Sequence, residues 1–217
     1  MSTPEDQRWK QTRAGARAGR GFRYQDAAAA FLLVDQWNQG TTAKLVPEGL
    51  DDLTLFVDGV EIRIQAKSMH DPKGMFRALQ LAEYLEKTAA LLSQEEWVQD
   101  SVLIAVILER PVIGLEAKGW KVPLSSYEDV AVVRQALDAL PASARSFTVE
   151  QLLERSFLLV KSTPIECCVH LLNEKQGAPA FACRLVAQQL RVDAGRCSDE
   201  NYLAKASNAA NMTTADV

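Results

Sequence analysis

The hydrophobic and polar positions of the chain follow two periods that predict alternating helices and strands. A period near 3.6 predicts helices at residues 22–39, 75–94, 127–140, 148–155, 165–173 and 178–191. Shorter apolar runs predict strands at residues 43–47, 53–57, 60–66, 101–108 and 157–160. The order helix–strand–strand–strand–helix–strand favours an α/β protein with helices on both faces of a sheet.

The second and third strands are predicted to form a hairpin. Asp58-Gly59 lies between them, and this dipeptide is typical of a two-residue turn. The resulting register pairs apolar residues on one face, namely Val57 with Val60, Leu55 with Ile62, and Leu53 with Ile64. That face is therefore expected to point into a core.

The opposite face of the hairpin brings polar residues together at the end far from the turn. There the register pairs Asp52 with Gln65, and Lys67 points the same way because strand side chains alternate. Cross-strand partners have Cβ atoms about 4.5–5.5 Å apart. Asp51 falls on the other face, and a slip of one residue would exchange it with Asp52.

Such a cluster has the chemistry of a magnesium or manganese site. Carboxylate and amide oxygens, here of Asp52 and Gln65, are hard ligands. Glu48 and the carbonyl of Ala66 are candidate further ligands. Lys67 could position an attacking water and stabilise charge on a phosphoryl group in transfer. A simple Asp52–Lys67 salt bridge on a polar sheet face explains the same residues, and both interpretations stay open.

The motif also carries a family resemblance. An aspartate, a turn and then Gln65-Ala66-Lys67 on the next strand resemble the PD-(D/E)XK nuclease core, with Gln in place of the usual acid. Together with Gly21-Phe22-Arg23-Tyr24-Gln25 and Glu48-Gly49-Leu50-Asp51-Asp52, the motif resembles the N-terminal nuclease domains of bacterial antiphage effectors. These include CBASS effectors with a SAVED sensor and Avs-type STAND ATPases, and Gln commonly replaces the acid in them.

The resemblance implies a fold and an activity. The fold would be a three-layer α/β/α, restriction-endonuclease-like core with a mixed central sheet and C-terminal helical segments. The activity would be magnesium-dependent cleavage of double-stranded DNA with little sequence specificity, in antiphage defence. A sensor or NTPase domain of the same protein, or an oligomer, would control it. The alternatives are a catalytically degenerate interaction module, which Gln65 favours, and a site-specific restriction enzyme, for which no recognition element is visible.

The resemblance and the spacing indicate supporting residues near this site. Tyr24 and Gln25 would lie beside it, and a capping role at the start of the first helix explains them equally well. Gln80 and Tyr84 share one helix face and resemble the QxxxY element of RecB-like nucleases.

Two further candidates lie on the hairpin and just beyond it. His70, shortly after the third strand, is a candidate acid or phosphate contact, and a solvated loop histidine is its ordinary alternative. Arg63 is a candidate phosphate contact.

Composition and charge indicate how the chain is divided into segments. The chain has 217 residues and a net charge of −4, but the first 23 residues carry six basic groups against Glu5 and Asp6, which makes them +4 and the remainder −8. We expect a basic flexible arm over 1–20, a nuclease core over 21–165, and a helical extension over 166–217 that leads into a further domain. The basic arm could reach phosphates.

Cysteine spacing and hydropathy disfavour a structural zinc site, a disulfide framework, secretion and a membrane span. Cys167, Cys168, Cys183 and Cys197 form no CxxC pair, which indicates free thiols in a reducing compartment. The chain has no signal-peptide pattern and no apolar run of the ~20 residues that span a bilayer. We therefore expect a cytoplasmic protein with no membrane partner.

Overall fold

The structure, a computed structural model, describes residues 4–47, 52–69, 71, 73–92, 102–119, 122–140, 147–204 and 212–213, with side chains described from Arg20 to Cys197. Its helices are α1 (Pro4–Gln39), α2 (Ala78–Ala89), α3 (Val130–Ala139), α4 (Val149–Glu154), α5 (Pro164–Gln176) and α6 (Ala180–Ala204), with a 3-10 turn at Leu124–Ser126. Its strands are β1 (Ala43–Pro47), β2 (Leu53–Val57), β3 (Val60–Lys67), β4 (Val102–Leu108), β5 (Ser156–Val160) and β6 (Met212–Thr213).

The first helix starts much earlier than its hydrophobic pattern indicates. It begins at Pro4 instead of Phe22, so residues 4–20 are helical where the sequence predicted a flexible arm. This stretch is rich in Ala, Arg and Gln, which favour helix, and each of its glycines costs only about 1 kcal/mol. Pro4 suits the first turn because no intrahelical hydrogen bond is required of its nitrogen.

Two other helices differ from their predicted bounds. Helix α2 begins at Ala78, because Phe76 forms a β-bridge with Val112 in place of a first helical turn. Helix α6 runs to Ala204, well beyond the predicted end at residue 191. The short β6, which pairs with β1, was not predicted at all.

The strands form one mixed sheet in the order β5-β4-β3-β2-β1-β6. Strands β1, β2 and β3 are antiparallel neighbours, whereas β3, β4 and β5 run parallel. The predicted hairpin register is confirmed, with Leu53 opposite Ile64 and Val57 opposite Val60. Asp58 and Gly59 both have positive φ, at 49° and 80°, as a type I′ turn requires.

Helices cover both faces of the sheet, which confirms the predicted three-layer α/β/α class with C-terminal helices. Helices α1, α5 and α6 form one core with the hairpin's apolar face, for example with Leu55 and Ile64. Helices α2, α3 and α4 form the other core with β4 residues such as Ile104 and Val106. Of the helices described here, none is long and apolar enough to cross a membrane.

The polar face of the hairpin is also covered. Thr54, Arg63 and Gln65 are 5%, 2% and 1% exposed. The Arg63 guanidinium donates to the carbonyl of Leu91, just after α2, so the α2 side of the molecule lies over this face. The Asp52–Lys67 end of the face is therefore a partly enclosed site instead of an open sheet surface.

Candidate active site

Asp52 and Lys67 meet at the carboxyl end of β3. Lys67 Nζ donates to Asp52 Oδ2 at 2.6 Å, and the backbone N–H of Ala66 donates to the same oxygen at 2.9 Å. The side chains of Asp52 and Lys67 are only 16% and 24% exposed, respectively. The predicted convergence of these two residues is observed, and it includes the direct ion pair that the sequence left as an alternative to catalysis.

Gln65 and Ala66 extend the set of oxygen atoms at this edge. Gln65 is buried two positions before Lys67, on the same face of β3. Ala66 points its side chain into the opposite core, but its N–H is directed at Asp52. Since the N–H and C=O of one extended residue point to the same side of the strand, the Ala66 carbonyl also faces the Asp52 side.

These atoms fit a hard divalent cation that keeps several waters. They comprise one carboxylate, one amide oxygen and one carbonyl, which are the donors that Mg²⁺ and Mn²⁺ accept. No group of three or more His, Cys, Asp or Glu side chains suited to a metal occurs in the part of the chain that the structure describes. The predicted ligand Glu48 and the candidate His70 lie outside the described residues.

Tyr84 on α2 joins the site, whereas Gln80 has another role. Lys67 Nζ lies 5.7 Å from the centroid of the Tyr84 ring. Burial raises the pKa of Tyr84, and the charges of Glu83 and Asp52 raise it further. The Gln80 side chain accepts a hydrogen bond from the Arg77 backbone at 2.9 Å, so it caps the start of α2.

Tyr24 ties α1 to the same edge of the sheet. Its hydroxyl donates to the carbonyl of Lys161, just after β5, at 3.0 Å. Burial raises the pKa of Tyr24, and the nearby charge of Glu109 adds to this. The proposed capping role of Tyr24 and Gln25 is wrong, because α1 begins at Pro4 and both residues lie inside it. Gln25 is half-buried there.

Arg63 does not belong to this site. It lies four residues before Lys67, about 13 Å away along the strand at ~3.3 Å per residue. Its guanidinium is buried and donates to Glu61 Oε1 at 2.8 Å and to the Leu91 carbonyl. The predicted phosphate contact is corrected on this ground, because a buried and paired guanidinium is not presented to DNA.

Glu109 is a component of the site that sequence reasoning missed. Its carboxylate accepts from Arg20 on α1 at 2.7 Å and from the Met69 backbone at 2.8 Å, while its own N–H donates to the Lys67 carbonyl at 3.0 Å. It therefore holds the chain segment that follows Lys67. The available signal was position: Glu109 is the first polar residue after the apolar strand, at the carboxyl edge where α/β sheets bind ligands.

Comparison with known proteins finds no relative of this chain. No protein-family model, curated protein or solved structure matches this chain. A proposal about function therefore rests on the residues at the carboxyl edge of β3, on their geometry and on the motif resemblance.

Proposed function

We propose that the chain is a metal-dependent endonuclease that hydrolyses double-stranded DNA with little sequence preference. The observation that carries the proposal is the contact of the Asp52 carboxylate with Lys67 at the carboxyl end of β3, beside the buried Gln65. A carboxylate, an amide oxygen and an ammonium group in this order match the arrangement that the PD-(D/E)XK resemblance implies.

Each residue has a distinct role in this proposal. Asp52, Gln65 and the Ala66 carbonyl would hold Mg²⁺ or Mn²⁺. The bound ion would lower the pKa of a water ligand and polarise a phosphoryl oxygen. Lys67 stabilises the negative charge that builds on the phosphoryl group and orients the attacking water. The Tyr84 ring, 5.7 Å from the Lys67 ammonium, offers it a cation–π contact.

The biological role that we propose is antiphage defence in the cytoplasm, as the resemblance implies. A nuclease without sequence preference is toxic to its own cell, so control by a sensor or NTPase domain of the same protein, or by oligomerisation, is part of the proposal. The basic first segment of α1 would add non-specific phosphate contacts. DNA binding should then weaken steeply as salt rises.

A second candidate is a non-catalytic interaction module on the same fold. Two observations favour it: Lys67 donates directly to one oxygen of Asp52, and the described residues contain no group of three or more His, Cys, Asp or Glu side chains suited to a metal. Under this alternative the ion pair is structural, and no divalent cation binds.

Plasmid cleavage in the presence of Mg²⁺ or Mn²⁺ separates the two candidates. Wild type would be compared with Asp52→Ala, Lys67→Ala and the control Lys44→Ala, which removes an exposed lysine from β1. The nuclease proposal expects cleavage by wild type and Lys44→Ala only. Absence of cleavage by wild type, even when it is forced to oligomerise, would leave the interaction module. Equal cleavage by all four would mean that the active site lies elsewhere.

A further inference from the structure

A cavity of about 390 Å³ lies between α1 and α6, and basic side chains dominate its lining. The lining residues are Arg23, Asp26, Arg191, Val192, Gly195 and Arg196. Its volume is within the range of about 300–1,000 Å³ that is usual for small-molecule sites. None of these residues belongs to the candidate active site.

Close packing of the two helices at a glycine creates this arrangement. A Cβ atom at Gly195 would lie 3.1 Å from Asp26 Oδ2, which is tighter than ordinary van der Waals contact. The absence of a side chain on Gly195 therefore lets α6 approach α1 at Asp26. That approach places Arg23, one turn earlier on α1, in the same cavity as Arg191 and Arg196.

Among the residues that the structure describes, the charges that line the cavity are not balanced. These residues contribute three guanidinium groups and one carboxylate, on a chain whose net charge is −4. Arg196 has a weak partner in Asp193, at 3.5 Å. Among the described residues, Arg191 has no ion-pair partner, and its buried Nε–H is closed to a ligand in the cavity, which leaves the terminal N–H groups of the guanidinium to bind one. An anion in the cavity would neutralise the unpaired guanidinium charge of Arg191 and accept hydrogen bonds from its terminal N–H groups.

We propose that this cavity binds a phosphate group carried by a nucleotide or by a nucleic acid. Guanidinium groups match phosphate oxygens in geometry and form charge-assisted hydrogen bonds with them. Val192, which is 56% exposed at the cavity, offers an apolar contact for a sugar or a base. The site does not depend on the nuclease proposal, because it is separate from Asp52 and Lys67.

Calorimetric titration of the full chain tests the proposal directly. Pyrophosphate, adenosine monophosphate and a short DNA duplex would each be added without divalent metal, so that no cleavage occurs. We expect wild type to bind at least one of them and Arg191→Gln to bind it at least about tenfold more weakly, the factor that corresponds to ~1.4 kcal/mol. Binding of the duplex alone identifies a nucleic-acid backbone as the source, and binding of either small phosphate identifies a small ligand.

A matched control lies on the same helix. Arg184 is paired with Glu166 at 2.6 and 2.8 Å outside the cavity, so Arg184→Gln removes the same charge from α6 and should leave affinity unchanged. Equal weakening by both variants, or no binding of any of the three compounds by wild type, would overturn the proposal.

Two further measurements guard against misfolding and against confusion with the active site. Arg23→Gln changes the exposed α1 wall of the cavity and should also weaken binding. It replaces Arg191→Gln as the test if that variant does not fold. The Nε–H resonance of Arg191 should shift in the NMR spectrum when the bound compound is added, and Lys44→Ala, which removes an exposed lysine from β1, should bind as wild type does. An unmoved Arg191 resonance on binding would place the ligand elsewhere.

Discussion

Replacement of Asp52 distinguishes the contribution of its carboxylate to fold stability from its proposed role in DNA cleavage. Asp52 Oδ2 accepts two hydrogen bonds, one from the Lys67 ammonium and one from the Ala66 backbone. Asp52→Ala removes both, whereas Asp52→Asn retains a neutral acceptor for the Ala66 N–H. The two variants should therefore differ in stability but not in their loss of DNA cleavage.

The magnitude follows from the two contacts. A hydrogen bond to a charged group contributes about 1.5–3 kcal/mol and a neutral one about 1 kcal/mol. Lys67 is 24% exposed, so water recovers part of the lost interaction with its ammonium. We expect Asp52→Ala to lower the free energy of unfolding by about 2–3 kcal/mol, and Asp52→Asn by about 1 kcal/mol.

Urea unfolding followed by circular dichroism measures these differences, and plasmid cleavage measures the chemistry. Asp138→Ala is the matched control, because Asp138 is exposed on α3 and surface substitutions usually change stability by less than ~0.5 kcal/mol. If Asp52→Ala unfolds with the same free energy as Asp138→Ala, the two contacts do not stabilise the fold. Wild-type cleavage by Asp52→Asn would show that the carboxylate charge is not used in catalysis.

Three other outcomes are expected from the same urea measurement. Gly59→Ala should cost about 1 kcal/mol through its φ of 80° alone, because the added Cβ meets open space, and an unchanged midpoint would contradict this. Tyr24→Phe should cost about 1 kcal/mol, since the Lys161 carbonyl loses its donor, and a larger loss would indicate repacking. Burial raises the pKa of the Cys168 thiol to about 12 from 9.0. The folded state therefore holds a proton that the unfolded state releases, so stability that is complete below pH 9 should fall by up to ~1.4 kcal/mol per pH unit as the pH rises towards about 12. Cys168→Ala should make this alkaline decline shallower, and an unchanged slope would refute the cause.

The hairpin and the pairing at its end were predictable because their determinants are local. Asp58-Gly59 specifies a type I′ turn, and the alternation of apolar and polar residues then leaves one register that buries a coherent face. That register places Asp52 near Lys67 without any information about the rest of the chain. The carboxylate–ammonium contact therefore follows from about fifteen consecutive residues.

The starts of α1 and α2 were predicted wrongly, because at each a local sequence signal is outweighed by a stronger effect. The glycines before Phe22 weaken the helical pattern, but the strong helix formers around them outweigh that cost and α1 begins at Pro4. Phe76 fits the apolar stripe of α2, yet its backbone forms a bridge with Val112, which lies 36 residues later. A distant hydrogen-bonding partner of this kind overrides a local preference.

Only the tertiary structure decided what surrounds Asp52 and Lys67. Burial of Arg63 required the α2 side of the molecule to cover the polar face of the hairpin. The meeting of Arg20 with Glu109 joins residues 89 positions apart. Such contacts depend on how helices and sheet stack in three layers, and layer packing is set by the combined shape of many side chains instead of by the period of any one segment. The sequence by itself determined the hairpin that carries the candidate site, and the packing of α1 and α2 determined its enclosure.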